Sequence, residues 1–534
     1  MKTIKGSVPL TVGVGVVAAA ALLTVAVWPD DDTYGGSGPA SRGPAVDSSA
    51  SGSASARTYP LSAAPRTIPS VREHGPARGP GWRPQKDSRV LVAEGSKGLT
   101  DEGKLLAHEL KLGYAYGGKA HAGDIELALA PDSKAPRESY TLTARDQQVK
   151  ITGPDEAGVF YGTRTVKQSV LADGQVPEGV VHDQPDRPQR GLNLDIARKP
   201  YSASWIEDRV REMADLKLNQ LCLHFSDDQG FRIASSSDPA VVSPDHLSKA
   251  QVTKIVSLAS SLHITVVPEI DSPGHLGAVI KAHPGIQLKN VNGVATPGAV
   301  DISNPESGRV VDQLIHEYEG LFPGAYWHLG GDEYQALMAK NPEASYPQLA
   351  QAAHKKYGSN GTIKDLATGW LNDRAAVVIK DKKTPKAWND GFYSGVSVAA
   401  NPAIEAEYWT GKEYGARPPV DYLSTGRKMM NLNDEYLYYV LGQPNDFTYP
   451  TGKRIYEQWT PLVMRGTTPV PSKYSHLILG GRFAVWGDIA NAQTPAQVAA
   501  GIRMPLMATA QKLWDPDKPK LTWTQFGKLA AKVG

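Results

Sequence analysis

Short apolar runs rich in β-forming residues recur from residue 190 onward, and stretches with helical spacing separate them. The amphipathic stretches 205–216 and 249–262 are examples of these spacers. The runs cover residues 191–197, 220–226, 264–270, 325–330, 384–389, 403–409, 428–432 and 481–486. Eight β-then-α units of this kind favour a closed (β/α)8 TIM barrel over an open doubly wound sheet.

Two differently patterned segments precede the barrel, which is assigned to residues 187–534. Between residues 88 and 186, short strand-like runs alternate with helical ones, and this predicts a small α/β domain that has no catalytic cluster of its own. Residues 30–87 are rich in Gly, Ser and Pro, a composition typical of a linker and an extended segment.

The first 29 residues predict a signal peptide or signal anchor. Lys2 and Lys5 precede an apolar run that has no charged residue before Asp30, a charge order that places the N-terminus in the cytoplasm. The run is long enough to cross a bilayer, which favours a single uncleaved membrane anchor over cleavage near Ala26. Either outcome predicts an exported protein that is secreted or anchored at the outer face of the cell membrane.

Composition narrows the function classes. The net charge of +2 over 534 residues lacks the basic excess of nucleic-acid-binding proteins, so no nucleic-acid partner is expected. The single cysteine, Cys222, excludes a disulfide within the chain, and its apolar neighbours indicate a buried, unreactive thiol.

Polar and aromatic residues follow the predicted barrel strands where each strand ends. Because the carboxyl ends of TIM-barrel strands meet at one face, we expect these side chains to form one site. Asp332 and Glu333 are the central pair, since one acid with a raised pKa can donate a proton while the other stays ionised. A solvated acidic turn is the alternative for this short motif taken alone. The strand-end residues are Arg198, Asp227, Asp228, Asp271, His275, Asp332, Glu333, Trp388, Asp390, Trp409, Tyr438, Trp486 and Asp488.

Four separated motifs resemble the family-20 glycoside hydrolases, which are β-N-acetylhexosaminidases and their relatives. They are LDIAR at 194–198, LHFSDDQG at 223–230, DSPGH at 271–275 and HLGGDE at 328–333. The resemblance extends over roughly residues 88–515. It implies that the chain hydrolyses terminal β-linked N-acetylhexosamine in an oligosaccharide or glycan, with retention, and no cofactor or metal is expected.

The resemblance also implies a substrate-assisted mechanism, which is an exception to the usual two-carboxylate scheme. Glu333 would protonate the leaving oxygen while the substrate's own 2-acetamido oxygen attacks the anomeric carbon. Asp332 and Tyr438 would hold the acetamido group, and Asp227 and His275 would form a relay to Glu333. The implied substrate-binding residues are Arg198, Trp388, Trp409, Trp486 and Asp488.

Two positions depart from the family pattern. Val440 stands two residues after Tyr438, where many members carry a polar side chain, and Asp488 stands where most members carry Glu. Both positions face the 4- and 6-hydroxyl end of the sugar in the family. The lacto-N-biosidases release a disaccharide and show a similar Trp-x-Asp, so release of galactosyl-N-acetylglucosamine is the main alternative.

Two further classes stay open. His224, His275 and His328 beside acids suggest a metal-dependent hydrolase, but the close histidine spacing of catalytic zinc sites is missing. A non-catalytic carbohydrate-binding barrel would keep the fold, yet such proteins usually lose the acid that Glu333 represents. For Arg198, the alternative to sugar binding is a structural ion pair with a barrel acid.

Overall fold

The computed structural model describes residues 58–412 and 416–534. The predicted signal peptide or anchor (1–29) and residues 30–57 of the predicted linker therefore lie outside the described residues. Within the described ranges, no helix combines the length and the apolarity that crossing a bilayer requires.

The first domain is a mixed sheet of seven strands, counted over the described residues, with two helices packed on it. The strands are β1 Glu73–Pro76, β2 Arg89–Val92, β3 Gly113–Tyr116, β4 Ile125–Leu129, β5 Tyr140–Arg145, β6 Gln148–Gly153 and β7 Gly179–Asp183. The helices are α1 Thr100–Leu110 and α2 Glu156–Asp173. The strand order is β1-β7-β5-β6-β4-β2-β3, and this is the α/β domain that the sequence predicts.

The chain ahead of residue 88 belongs to this domain in the structure. Strand β1 pairs antiparallel with β7 at the edge of the sheet, and Ile68, Val71 and Trp82 are buried in the core. The sequence analysis placed these residues in the extended segment, because single apolar residues among Pro and Arg show no period. The pairing of β1 with β7, more than 100 residues away, holds this segment against the sheet.

From residue 189 the chain forms a closed barrel of parallel strands. The strands of this domain are β8 Gln189–Asp195, β9 Gln220–Ser226, β10 Thr265–Ile270, β11 Gln287–Lys289, β12 Ala295–Val300, β13 Tyr326–His328, β14 Thr384–Trp388, β15 Glu405–Tyr408, β16 Met429–Asn431, β17 Tyr438–Val440 and β18 Ile478–Trp486.

Eight of these strands, counted over the described residues, make the barrel. Successive strands pair in the order β8-β9-β10-β13-β14-β15-β16-β18, and β18 pairs back to β8. Strands β11 and β12 form a separate hairpin, and β17 lies beside the end of β18. Each of the eight predicted runs coincides with one barrel strand, so the predicted TIM barrel is confirmed.

Helices surround most of the barrel. They are α3 Ala203–Asp215, α4 Lys249–Ser261, α5 Gly277–Ala282, α6 Pro305–Glu319, α7 Gln335–Met338, α8 Pro342–Ser345, α9 Pro347–Tyr357, α10 Ile363–Lys380, α11 Pro419–Leu423, α12 Asp434–Leu437, α13 Gly452–Gln458, α14 Pro495–Trp514 and α15 Trp523–Val533. Residues 389–404, all of them described, form a loop without an α-helix, and this loop brings Asp390 to the end of β14.

The inside of the barrel is charged, whereas most TIM barrels are filled by branched apolar side chains. Arg482 donates to both oxygens of Glu407 at 2.6 and 2.7 Å, while Lys386 and His328 approach the same carboxylate to 3.3 and 3.4 Å. All four side chains are fully buried. A buried charge is tolerated only when it is paired, so this network fixes the barrel interior in one arrangement.

Buried ion pairs join the first domain to the barrel. Lys217, which lies between α3 and β9, contacts Asp183 of β7 at 3.3 Å, and both side chains are inaccessible to solvent. Arg190 of β8 contacts Glu138 at 2.9 Å. These contacts support the back of the barrel, at a distance from the strand ends where the predicted site residues lie.

Candidate active site

Asp332 and Glu333 follow β13 on a sharply turned loop. Gly330 and Gly331 have φ angles of +69° and +99°, and Glu333 itself has a φ of +46°, in the left-handed region that ordinary residues avoid. A Cβ on Gly330 would come within 1.6 Å of an oxygen of Asp271. The glycines therefore let the loop pass close to β10, and the strained backbone at Glu333 is typical of a functional position.

His275 links the two acids to a third one. Its Nε2 lies 3.4 Å from Glu333 Oε2 and 3.7 Å from Asp332 Oδ2, and its Nδ1 lies 3.3 Å from Asp227 Oδ1. Burial alone would lower the pKa of His275, but the charges of Asp332 and Asp227 raise it well above its ordinary value. His275 is therefore a cation at neutral pH.

The protonated imidazole changes the expectation for Glu333. The hydrogen bond from His275 lowers the pKa of Glu333 and outweighs the partial burial of its carboxyl. The raised pKa that the sequence analysis expects is therefore wrong for this arrangement, in which His275 carries the proton. The implied relay from Asp227 through His275 to Glu333 names the partners of the imidazole but not the position of the proton, because that depends on burial and on the charge of Asp332.

Asp332 and Asp271 form a second coupled pair of acids. Burial, followed by the charge of Asp332, raises the pKa of Asp271 well above its ordinary value. Burial also raises the pKa of Asp332, although the charge of His275 opposes this. Asp271 accordingly holds the proton and Asp332 is the carboxylate of the pair. Asp332 Oδ1 is buried and has no hydrogen-bond partner among the described residues.

Arg198 lies at the end of β8 between two carboxylates. Its guanidinium contacts Asp195 at 3.0 Å and Asp227 at 2.8 Å, and it stacks over Trp486 at 5.6 Å from the ring centroid. The predicted alternative, an ion pair with barrel acids, is thus present, but the guanidinium also borders the aromatic residues of the site. Burial would raise the pKa of Asp227, but the charge of His275, the hydrogen bond from His224 and the charge of Arg198 hold it well below its usual range.

The four predicted aromatic residues pack together. Trp409 stacks on Tyr438 with ring centroids 5.7 Å apart and planes 7° from parallel, and Trp486 lies 5.8 Å from both Tyr438 and Trp388. With Val440 and neighbouring apolar residues they form an apolar cluster of their own, distinct from the main core. The structure therefore brings these four residues to the same end of the barrel.

Asp390 connects the aromatic cluster to the acid loop. Its two oxygens accept hydrogen bonds from the backbone N–H of Glu333 at 2.9 Å and from Trp409 Nε1 at 3.0 Å. Burial and the charge of Asp332 raise the pKa of Asp390 to about 8. The sequence analysis noted Asp390 at a strand end but gave it no role, because neither of its hydrogen-bond partners is close in sequence.

Asp488 and Val440, the two departures from the family pattern, differ in exposure. Asp488 follows β18 and is exposed to solvent, whereas Val440 is 3% exposed within the aromatic cluster. Gly487 lies between Trp486 and Asp488, and its N–H donates to Asp195 at 2.9 Å. Asp488 therefore borders the open side of the site, near Arg198.

Sequence reasoning missed Glu269. This fully buried carboxylate accepts a hydrogen bond from Trp388 Nε1 at 2.7 Å, and it lies 3.2 Å from His224 and 3.1 Å from His328. His224 in turn contacts Asp227 at 2.7 Å. An acid inside an apolar strand was the available signal, since such a group is buried only when it is paired.

Three clusters of the site have donor atoms close enough together for a metal. Within each cluster these atoms lie within 4.8 Å of one another; the clusters are Asp271, His275 and Asp332, then His224, Glu269 and Asp271, and finally Asp227, Asp228 and His275. In each cluster an imidazole lies close to carboxylates with which it can pair. The absence of a metal requirement remains a prediction.

Two family models match this chain in order. The model described as glycosyl hydrolase family 20, catalytic domain, covers residues 188–517, and the model described as domain 2 of the same family covers residues 64–184. A barrel with paired acids at its strand ends agrees with the first match, and the smaller α/β domain agrees with the second. The chain belongs to glycosyl hydrolase family 20.

Among its relatives is a lacto-N-biosidase from Bifidobacterium bifidum, 31% identical over 92% of this chain and 43% of the relative. A β-hexosaminidase from Porphyromonas gingivalis is 26% identical over 62% of this chain and 46% of the relative. The chain thus spans about half the length of the curated relatives that it matches.

Solved structures of the family share the fold. The exo β-N-acetylglucosaminidase from Vibrio harveyi superposes with a TM-score of 0.71 at 19% identity, over 88% of this chain and 77% of that chain. The β-N-acetylhexosaminidase from Streptomyces coelicolor gives 0.70 at 23% identity, over 89% and 96%. At these identities the likeness establishes the fold.

Proposed function

We propose that the chain is a glycoside hydrolase that removes terminal β-linked N-acetylhexosamine from glycans with retention of configuration. One arrangement carries the proposal. Asp390 accepts hydrogen bonds from both the acid loop and Trp409, so Asp332 and Glu333 border the aromatic cluster at a single barrel mouth. Aromatic walls suit the apolar faces of a sugar, and adjacent acids suit cleavage of its glycosidic bond.

The chemistry follows from the positions of the acids. Asp332 Oδ1, the buried acceptor without a partner among the described residues, accepts the N–H of the 2-acetamido group and orients the acetamido oxygen toward the anomeric carbon. The pKa of Tyr438 is raised well above its ordinary value, chiefly by burial, so its hydroxyl stays a donor for the acetamido oxygen. An intramolecular nucleophile held in this way replaces a protein nucleophile.

His275 and Glu333 share the proton that the leaving group needs. The raised pKa of His275 and the lowered pKa of Glu333 put this proton on His275, which is 3.4 Å from Glu333. Transfer across this contact produces the protonated Glu333 that donates to the leaving oxygen. Glu333 then deprotonates the water that opens the cyclic intermediate, and the pair regains its proton.

Release of a galactosyl-N-acetylglucosamine disaccharide is the second candidate. It is supported by the lacto-N-biosidase relative, which matches 92% of this chain, and by the exposed Asp488 at the open side of the site. A short acid there leaves more room than glutamate, and Val440 offers no polar partner to a terminal sugar.

Two chromogenic substrates separate the candidates. One carries a single β-N-acetylglucosamine and the other carries galactosyl-β-1,3-N-acetylglucosamine. Hydrolysis of the first supports a hexosaminidase, and hydrolysis of the second alone supports disaccharide release. Proton NMR of the first-formed sugar tests retention, because initial release of the α-anomer would contradict it.

A matched pair of variants tests catalysis by the barrel. Glu333→Gln should lose at least about a hundredfold in kcat because the amide cannot donate the proton. Glu343→Gln, which changes an exposed residue of α8, should remain as active as the wild type. Equal turnover by the wild type and Glu333→Gln would instead support a carbohydrate-binding barrel.

Export remains a proposal based on Lys2, Lys5 and the apolar run that follows them. The exported chain would be secreted or anchored at the outer face of the cell membrane. Fractionation of cells producing the full chain, with N-terminal sequencing of the product, tests it. A full-length chain in the membrane fraction supports the anchor, a shortened chain in the medium supports cleavage, and a full-length chain in the cytoplasm refutes export.

A further inference from the structure

A cavity of about 270 Å³ opens beside Glu333. The loop after β14 contributes Phe392 and Tyr393 to its lining, the start of α10 contributes Lys364, and the segment before α11 contributes Arg417. The lining of this cavity, taken over the described residues, does not include the three site tryptophans, Tyr438 or Arg198. The cavity thus borders Glu333, and its lining is separate from the aromatic cluster.

This position defines which part of a substrate would enter the cavity. A proton donor must reach the glycosidic oxygen, which lies between the sugar that is released and the group to which it was attached. If the released sugar occupies the aromatic cluster, as the proposed function requires, the leaving group extends past Glu333 into the cavity. Asp390 lines the cavity as well, and its pKa of about 8 leaves it largely neutral at neutral pH.

Two cationic side chains, Lys364 and Arg417, line the cavity. Lys364 is exposed, and no carboxylate of the described residues forms an ion pair with it. The Arg417 guanidinium stacks over Tyr422 at 4.5 Å from the ring centroid, and its ion-pair partner within the described ranges, Asp421, is 3.9 Å away. That distance is too long for a hydrogen bond, so the Arg417 charge remains available to a ligand.

We infer that this cavity is a leaving-group subsite for a sugar that bears an anionic group, either a carboxylate or a sulfate ester. The two cations in the lining recognise such a group through charge-assisted hydrogen bonds, and the planar Arg417 suits both oxyanions. Phe392 and Tyr393 supply aromatic surface for the sugar ring. This inference rests on the proposed function, because it assigns the leaving group of that reaction.

Three substrates that differ only in the leaving sugar test the inference. In the three substrates, N-acetylglucosamine is β-linked to glucose, to glucuronate or to glucose 6-sulfate. If the enzyme releases disaccharides, the same three substrates are used with a galactosyl residue attached to the N-acetylglucosamine. At low salt we expect kcat/KM to be about fivefold higher for at least one anionic substrate than for the glucose substrate. The preference should decline as salt screens the charges, and the two anionic substrates distinguish carboxylate from sulfate.

Variants of one helix provide the control. Lys364→Gln should lower the ratio of kcat/KM for anionic over neutral substrate, and Lys364→Arg should preserve it. Lys380→Gln removes the same charge at the other end of α10 and should leave the ratio and the activity as in the wild type. Arg417→Gln should lower the ratio further when combined with Lys364→Gln.

The outcomes separate the two proposals. Hydrolysis of all three substrates with equal kcat/KM, or an anionic preference that Lys364→Gln does not alter, would overturn the anionic subsite and leave the proposed function intact. No hydrolysis of any substrate would refute the proposed function and this inference with it.

Discussion

Replacement of His275 by glutamine tests how the site stores the proton for catalysis. In the structure His275 and Glu333 share one proton, which resides on the imidazole because the pKa of His275 is raised and that of Glu333 is lowered. The pair keeps this proton until the pH exceeds the raised pKa of His275. The alkaline limb of kcat/KM in the wild type therefore reports His275 and lies above about pH 6.5, the ordinary histidine value.

The variant must hold the proton on Glu333 itself. The contact of 3.4 Å corresponds to about 5 kcal/mol at an effective dielectric constant of about 20, but the Glu333 side chain is 35% exposed and solvent screens much of this. Loss of the cation thus removes the main cause that lowers the pKa of Glu333, while the partial burial of its carboxyl still raises that pKa. A carboxyl now holds the proton that the imidazole held, and the ordinary pKa of glutamate lies about two units below that of histidine. We therefore expect the alkaline limb to move to lower pH.

The assay is the pH profile of kcat/KM with the chromogenic substrate that the wild type accepts. His246→Gln, which changes an exposed loop histidine, is the control and should keep the wild-type profile. Circular dichroism at each pH confirms that both variants are folded. An alkaline limb in His275→Gln that stays in place or moves to higher pH would refute the shared proton.

Three further predictions concern stability and metal dependence. Glu407→Gln should lower the free energy of unfolding by about 3–5 kcal/mol, because it leaves Arg482 buried without an anion; urea titration measures this, and an effect below 1 kcal/mol would contradict the paired network. Between about pH 4 and pH 8 the folded chain keeps a proton on Asp390 that the unfolded chain has lost, so the Tm of the wild type should fall as pH rises. Asp390→Asn should make this fall less steep, and an unchanged slope would contradict the raised pKa of Asp390. Hydrolysis should survive excess chelator at the wild-type rate, and a loss that a divalent ion restores would support the metal-dependent alternative.

The sequence determined the architecture because the barrel is a repeated local pattern. Each strand is a short apolar run and many spacers have helical spacing, so the order of strands follows from the order of runs along the chain. The same regularity predicted which residues meet, since strand ends converge on one face. The structure brings Asp332, Glu333, Arg198 and the site tryptophans to the same end of the barrel, and their roles there stay predictions.

The tertiary structure decided where protons and charges reside. The reversed order of pKa values in His275 and Glu333, the link through Asp390, and the role of Glu269 all depend on distances between side chains from different strands. Local sequence patterns do not describe such contacts, whereas a pKa depends on burial and on charges a few ångströms away. The sequence thus named most of the groups in the site, whereas only the packing of β10, β13 and β14 set their protonation and their partners.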